Sequence, residues 1–341
     1  MLSLRGGVVR TTISQIAEVS GYSPATVDRV LNDRAGVRSR TRDAILQTAH
    51  ELGYFGLASA YGPPEVEMDF LLPAGDNTFM LLLRKFIIEE ATKYAGIKPR
   101  LHLYEDFNPE HLAERLLELQ GHTDAVAIVM PDHPSIREAV NRLVIGGIHV
   151  ATLVSDLPSL NKIGYVGVDN RAAGRLAGLL TGRFLRDDRE HDVAVFIGFA
   201  SYRGHEEREM GFRSILAQDY PHLRIRDIVQ VNDDRERAYE ETQRLLMNEP
   251  PAAIYNIGAG NQGIARALRD AGASPVFIAH DLTEATKGML MDRTLDAVID
   301  QNPRVEAREV IKLLASAVRG ACEPSYPPRL QVVFRENIPV V

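Results

Sequence analysis

Residues 12–32 read TISQIAEVSGYSPATVDRVLN, and the capping and turn residues in this stretch decide how the chain begins. Thr12 is suited to cap a helix through Ser14–Val19, with Ile13, Ile16 and Ala17 on one face, and Gly21 ends it. Ser23 caps a second helix whose first position is Pro24, where the missing N–H costs nothing. Val27, Val30 and Leu31 give that helix an apolar face at i, i+3, i+4, and Asn32 is suited to close it. A third helix is predicted from about Thr41 to Leu52, with Ile45, Ala49 and Leu52 inward and Gly53 as its stop. Two short helices joined by the tight turn Ser20-Gly21-Tyr22 form a helix-turn-helix unit. Such a unit lays its first helix across the phosphate backbone and sends the second into the major groove, N-terminus first. Pro24, Ala25 and Arg29 then face base edges, arginine being the best reader of guanine. Ser23, Thr26 and Thr41 suit phosphates, as do helix-start N–H groups. Arg38 and Arg40 follow as phosphate contacts, and Asn32 completes the expected DNA-facing set.

A net charge of −7 over 341 residues argues by itself against a nucleic-acid partner. The distribution points the other way. Residues 1–60 carry +2, with Arg34, Arg38, Arg40 and Arg42 close together, so the rest of the chain is acidic. Charge alone would equally fit a solvated surface patch. A single cysteine, Cys322, excludes an internal disulfide. No apolar run approaches the roughly 18 residues that span a bilayer, and the N-terminus has no export-signal core. These features predict a cytoplasmic protein with no membrane partner. No Cys/His spacing suggests a metal, and HEERE (205–209) lacks the second histidine of a zinc site.

Downstream, YFGLASAYGPPEVE (54–67) has linker composition, and a boundary is expected near residue 63. Beyond it, apolar runs suited to buried strands recur at 68–72, 125–129, 150–154, 193–199, 252–257 and 275–279. Helical stretches such as Arg171–Phe184 and Arg235–Met247 separate most of them. Alternating strands and helices predict an α/β body with parallel sheets and right-handed crossovers. About 270 residues make two lobes more natural than one.

The string at 12–32, followed by VRSRTRDAILQTAHELGY at 37–54, closely resembles the head of the lactose-repressor (LacI/GalR) family. The resemblance implies an all-α helix-turn-helix head at 11–56, a hinge at 57–66 and a two-lobed, periplasmic-binding-protein-like body at 67–341. Its first lobe would comprise about 67–162 and 291–320, its second about 163–290 and 321–341. The implied protein is a homodimeric repressor that binds operator DNA under the control of a small effector, a sugar or polyol, and needs no cofactor. Two departures stand out. Asp28 occupies a position the family usually gives to a small residue, and a carboxylate there must point away from phosphates or read a cytosine amino group. In the hinge, Gly56, Leu57, Tyr61 and Pro63 replace the family's Pro, Asn, Arg and Leu, and only Ala60 is kept. Weaker bending of the operator is expected, because glycine and paired prolines disfavour a hinge helix.

In the body the resemblance implies ligand contacts at the C-terminal ends of strands, where open α/β sheets bind ligands on general grounds. Asn77 and Phe79 follow the first strand: an amide for hydroxyls and a ring for C–H faces, or equally a helix cap and a core residue. Asp156, Asn256, Asp281 and Gln301 end later strands at matching places, and each could instead be a capping or turn residue. The family's cleft arginine falls at Glu206 within HEEREMGF, with Arg203 or His205 as a substitute. An acid there implies a neutral or hydroxyl-rich ligand rather than an anion. Gly258, Gly260 and Gly263 spell G-x-G-x-x-G after a strand, with Asp281 about twenty residues on. The alternative this raises is an NAD-dependent oxidoreductase. Earlier strands in the same lobe and the helix-turn-helix both weigh against it.

Overall fold

A computed structural model describes residues 11–32, 34, 36–52, 54, 65–75, 77–187, 189–199, 201–320, 326 and 328–339. The chain divides into two compact units at Glu65/Val66. Most of the expected hinge at 57–66, with Gly56, Leu57, Ala60, Tyr61 and Pro63, lies outside the described residues, as does Cys322.

The head is three helices: α1 (Ile13–Ser20), α2 (Pro24–Leu31) and α3 (Ser39–Glu51). Thr12 and Gln15 form a reciprocal capping box at the start of α1, and Gly21 closes it at φ 73°, where a side chain would be strained. The Ser23 hydroxyl accepts the Thr26 N–H at the start of α2. The apolar faces meet in a small core of Ile16, Ala17, Val27, Val30, Ile45 and Ala49. Helix α3 begins two residues before the expected Thr41.

The body holds two sheets. The first has the order β2 (Ile97–Tyr104), β1 (Val66–Pro73), β3 (Ala125–Ile128), β4 (His149–Leu153), β5 (Gly164–Val166), all parallel. One face is covered by α4 (Thr78–Ala91) and α12 (Pro303–Val318), the other by α5 (Pro109–Leu117) and α6 (Pro134–Ile145). The second sheet runs β11 (Gln331–Val333), β10 (Ala297–Asp300), β9 (Val276–His280), β8 (Ala253–Asn256), β6 (His191–Ile197), β7 (Leu223–Gln230). Only β11 is antiparallel to its neighbour. Its faces carry α7 (Asn170–Phe184) with α8 (Arg203–Asp219), and α9 (Arg235–Asn248) with α10 (Asn261–Ala271) and α11 (Glu284–Met291).

Two of the expected lobe boundaries move. Residues 164–166, assigned to the second lobe, form β5 and pair with β4 in the first sheet. The segment 291–320, assigned whole to the first lobe, divides: β10 pairs with β9 and β11 in the second sheet, while α12 packs on the first. The apolar run AVID is fully buried and needs strand partners on both sides, whereas α12 turns Ala307, Val310, Ile311 and Leu314 toward α4 and the first sheet. Val66, placed in the hinge, is the first residue of β1.

Four strands that carry no continuous apolar run were not anticipated. Strand β7 (LRIRDIVQ) alternates buried and exposed residues at the sheet edge, and β2 (IKPRLHLY) has only Tyr104 fully buried. Edge strands face water and keep polar residues. Strands β5 and β11 are three residues long.

The interlobe cleft and the exposed face of the head

Between the two sheets, at the C-terminal ends of their strands, lies a cavity of about 260 Å³. That is near the lower end of small-molecule pockets, which suits a compact ligand. The backbone is distorted around it. Among the described non-glycine residues with positive φ, Val154 (65°), Asn232 (53°), Asp233 (58°) and Asp281 (70°) all line the cavity. Each such residue costs of order 1–3 kcal/mol and persists only where its surroundings over-determine it. At Val154 they do: its N–H donates to Val166 O, and its carbonyl accepts from Tyr165 OH and Asn170 Nδ2.

A polar chain runs along the floor. Arg208, 4% exposed, donates from Nε to Asn170 Oδ1 (2.7 Å), from Nη1 to Ile257 O (3.0 Å) and from Nη2 to Gln301 Oε1 (3.0 Å). Gln301 Nε2 in turn donates to Asp281 Oδ1 (2.8 Å). Burial pushes the Asp281 carboxyl up to about 6, against the pull of Arg208 and the Gln301 bond. The walls are aromatic. Phe107, after β2, stacks on Phe199, after β6, with centroids 4.4 Å apart. Tyr104 OH meets Tyr202 OH at 3.0 Å across the lobes, and Tyr202 packs into the first lobe's core. The Gly204 N–H donates to Ser155 Oγ at 3.0 Å, a third bridge between lobes. His205 lines the cavity; burial lowers its pKa, against the opposing charge of Asp233, so the ring is neutral at pH 7.

Of the residues singled out in the sequence, Asn77, Phe79, His205, Asp281 and Gln301 line this cavity. Asn77 is at once a cap, accepting from the Phe79 and Met80 N–H groups, and a wall residue that donates to Asp233 Oδ2 across the cleft. Phe79 is likewise both core and wall. The other four do not line it. Asp156 turns back to Thr152 Oγ1, the Leu157 N–H and Lys162, leaving its neighbour Ser155 on the cavity. Asn256 is buried beneath the following turn, donating to Gly258 O, Ala259 O and Asn261 Oδ1. Arg203 pairs with Glu207 along the surface of α8, and Glu206 is exposed. The cleft arginine is Arg208, two residues on. At 100° per residue that is more than half a turn of helix, so reading the motif at Glu206 aimed at the wrong face. Asp233 was missed too, since NDD (232–234) reads only as a turn.

The glycines of the G-x-G-x-x-G string make room for protein. A Cβ on Gly263 would sit 2.0 Å from Arg235 O, and one on Gly258 2.6 Å from Asp233 Oδ1. Asp233 Oδ1 already accepts the Ala259 N–H at 2.8 Å. A loop N–H that would serve a pyrophosphate is therefore occupied by a carboxylate, which would repel one.

One buried acid lies apart from this network of bonds. Glu306, in the first turn of α12, is 0% exposed, and neither carboxyl oxygen has a hydrogen-bond partner. Desolvation, with Asp281 and Asp300 nearby, raises its pKa well above 4.5, and Arg208 only partly opposes this. The folded state holds the proton while the unfolded chain releases it near 4.5. The contribution of Glu306 to stability therefore falls as pH rises above that point, and Glu306→Gln lacks that contribution. The advantage of the variant is expected to grow by up to about 1.4 kcal/mol per pH unit. Urea midpoints of both proteins at pH 5 and pH 7 measure it, and a gap that stays constant rules it out.

On the head, Pro24, Ala25 and Arg29 are exposed together along α2, with Ser23 and the half-buried Thr26 at its start. Arg38 and Arg40 are exposed and Thr41 is half-buried, flanking and beginning α3. Asn32 works as a cap: its Nδ2 donates to the carbonyl and to Oδ1 of Asp28. Asp28 also faces Arg34 at 3.4 Å, so its charge is directed along its own helix and into the following loop.

Residues 68–322 match the family described as periplasmic binding protein domain, and residues 12–55 match bacterial regulatory proteins of the lacI family. The chain is 26% identical over 253 residues to the HTH-type transcriptional regulator DegA of Bacillus subtilis, covering 72% of this chain and 73% of that protein. It is also 26% identical over 254 residues to catabolite control protein A of Priestia megaterium, covering 72% and 74%. Among solved structures, a glucose-galactose binding protein of Geobacillus stearothermophilus superposes with a TM-score of 0.73 at 20% identity, over 81% of this chain and 99% of that one. A Caulobacter myo-inositol binding protein gives 0.71 at 21% identity, over 80% and 94%. The chain thus belongs, over its body, to the periplasmic binding protein domain family, carries a lacI-family head in front of it, and is a DNA-binding transcription regulator.

Proposed function

We propose that the chain acts in the cytoplasm as a homodimeric repressor, without catalytic activity. Its two α2 helices read half-sites about one helical turn apart on a near-palindromic operator. The cleft between the lobes takes a small hydroxyl-rich effector, a sugar or polyol, whose binding changes operator affinity. The single observation that carries the effector reading is the cavity itself, in which Asp281, Gln301, Asn77 and Asp233 offer acceptors and donors between aromatic walls. Carboxylates accept strongly from hydroxyls, and rings cover C–H faces. Support also comes from solved relatives of the body, whose names give glucose-galactose, arabinose and myo-inositol as ligands. Another relative, of Bacillus subtilis, is named a probable transcriptional repressor. The carboxylates argue against an anionic ligand. Their positions differ from the expected one, Glu206, but the charge is of the same sign.

Thermal-shift screening against sugars and polyols tests the effector reading, since a ligand at 100 times its Kd adds about 2.7 kcal/mol of stability. Operator binding with and without each hit then measures coupling, expected at about 1–3 kcal/mol. For the head, Arg29→Ala is expected to cost about 1–3 kcal/mol of operator affinity and to relax base preference. Arg40→Ala should weaken all sequences alike and lower the salt slope by about 1. Titrations of specific and scrambled DNA at two salt concentrations separate the two outcomes. Intact preference in Arg29→Ala would remove α2 from the major groove.

A further inference from the structure

One charge on the outward face of the head runs against the partner which that face meets. At about 100° per residue, Asp28 falls between Pro24 and Ala25 around α2, on the side away from the buried Val27 and Val30. DNA presents phosphates around the groove and mostly acceptors within it, and a carboxylate can only accept. The amino groups of cytosine and adenine are the exceptions. Asp28 therefore stands where a charge of its sign weakens binding, unless something in the protein answers it.

Both of its oxygens are answered from the C-terminal side. Oδ1 accepts from Asn32 Nδ2 at 2.8 Å, and Oδ2 faces the Arg34 guanidinium at 3.4 Å. Arg34 is fixed there by its own backbone. Its N–H donates to Arg29 O at 2.8 Å, and its carbonyl accepts from Arg42 Nη2 at 3.2 Å, so it is tied to α2 on one side and α3 on the other. The side chains of Asp28 and Arg34 are 39% and 63% exposed, which leaves the pair open to competition from a phosphate. Arg34 is one of the closely spaced arginines at 34–42 that give the head its positive charge. Held by Asp28, it has its charge cancelled before DNA arrives.

We infer that Asp28 is a positioning residue for DNA binding: it holds Arg34 away from phosphate and so keeps the affinity of the head for every sequence low. The inference rests on α2 entering the major groove. Two effects act together. The carboxylate repels nearby phosphates, and with Arg34 withheld one phosphate fewer is neutralised and one counterion fewer released. Neither effect depends on base sequence, so discrimination is left to Arg29 while the overall grip is weakened. A weaker grip suits a regulated switch, because a modest coupling to effector then suffices to empty the operator.

The test is fluorescence anisotropy of the full-length protein, over a series of salt concentrations, with two short duplexes: one of random sequence, and one enriched from a randomised library by the wild-type protein. Asp28→Asn removes the charge and keeps an oxygen for Asn32. It is expected to tighten both duplexes alike, by about three- to tenfold, and to steepen the salt slope by about 1. Arg34→Ala is expected to leave the slope unchanged while Asp28 is present, and to lower it by about 1 in the Asp28→Asn background. A side chain that only helped the head to fold would not couple to Arg34 in this way. Asp28→Ser, with the same change of charge and a smaller side chain, should repeat the steeper slope. Loss of affinity for the enriched duplex alone would show that Asp28 reads a base and would overturn the inference. So would a slope unmoved by Asp28→Asn, or one lowered by Arg34→Ala alone, which would place Arg34 on phosphate in the wild-type complex. The docking of α2 is judged separately on the same duplexes. If Arg29→Ala keeps its preference for the enriched duplex, that docking fails and the inference with it; relaxed preference with no gain in Asp28→Asn overturns the inference only.

Discussion

Arg208→Met is expected to destabilise the body by about 3–5 kcal/mol and to abolish its response to effector. The side chain is 4% exposed and holds three acceptors drawn from separate parts of the fold: Asn170 at the start of α7, Ile257 after β8 and Gln301 after β10. Methionine fills most of the volume and supplies no donor, so three buried acceptors lose their partner at once. Removing one member of a buried charged network typically costs 3–5 kcal/mol. The loss also removes the nearby positive charge that restrains the carboxyls of Asp281 and Glu306, so both rise further. The urea midpoint of the purified protein gives the stability, and titration with an effector identified by screening gives the response. A change below about 1 kcal/mol would show that Arg208 is dispensable to the floor of the cleft.

Gly174→Ala is expected to cost about 3 kcal/mol, although alanine is the better helix former. A Cβ at Gly174, inside α7, would lie 1.9 Å from the carbonyl oxygen of Arg208 on α8. The contact is reciprocal along the pair: a Cβ on Gly211 would meet Arg171 O at 2.1 Å, and one on Gly178 the Ile215 Cγ2 at 2.2 Å. Backbone cannot yield as a side-chain tip can, so the helices must part, and overpacking of this kind costs about 1–3 kcal/mol or more. Parting them also moves the backbone that carries Arg208, so effector affinity should fall together with stability. Gly288→Ala is the control. Gly288 is exposed in α11, with nothing within 4 Å of an added Cβ, and that substitution should stabilise by about 0.5–1 kcal/mol. Chemical denaturation of the three proteins side by side compares them. Equal effects at 174 and 288 would show that α7 and α8 are not packed backbone to backbone.

The sequence by itself determined the head and the class of the body. Caps, stops and a 3.6-residue apolar period act within one turn of helix, so Thr12, Gly21, Ser23 and Pro24 can be read without knowing anything distant. Buried strands read as apolar runs for the same local reason, and the strand ends then pointed to Asn77, Phe79, Asp281 and Gln301. The tertiary structure alone decided which polar groups face the cavity. Arg208 and Glu206 sit two residues apart on one helix, and only the packing of α7 against α8 buries one and exposes the other. Asp156 and Asn256 stand at strand ends like Asp281, yet Lys162 pairs with the first and the turn at Gly258 takes up the amide N–H groups of the second. Asp233 owes its place to glycines 35 residues before it and 25 after it, which no local pattern links. The division of 291–320 between two sheets has the same cause. A strand joins the sheet that offers it hydrogen-bonding neighbours, and that choice is made by the whole fold, whereas capping and periodicity are settled by the nearest few residues.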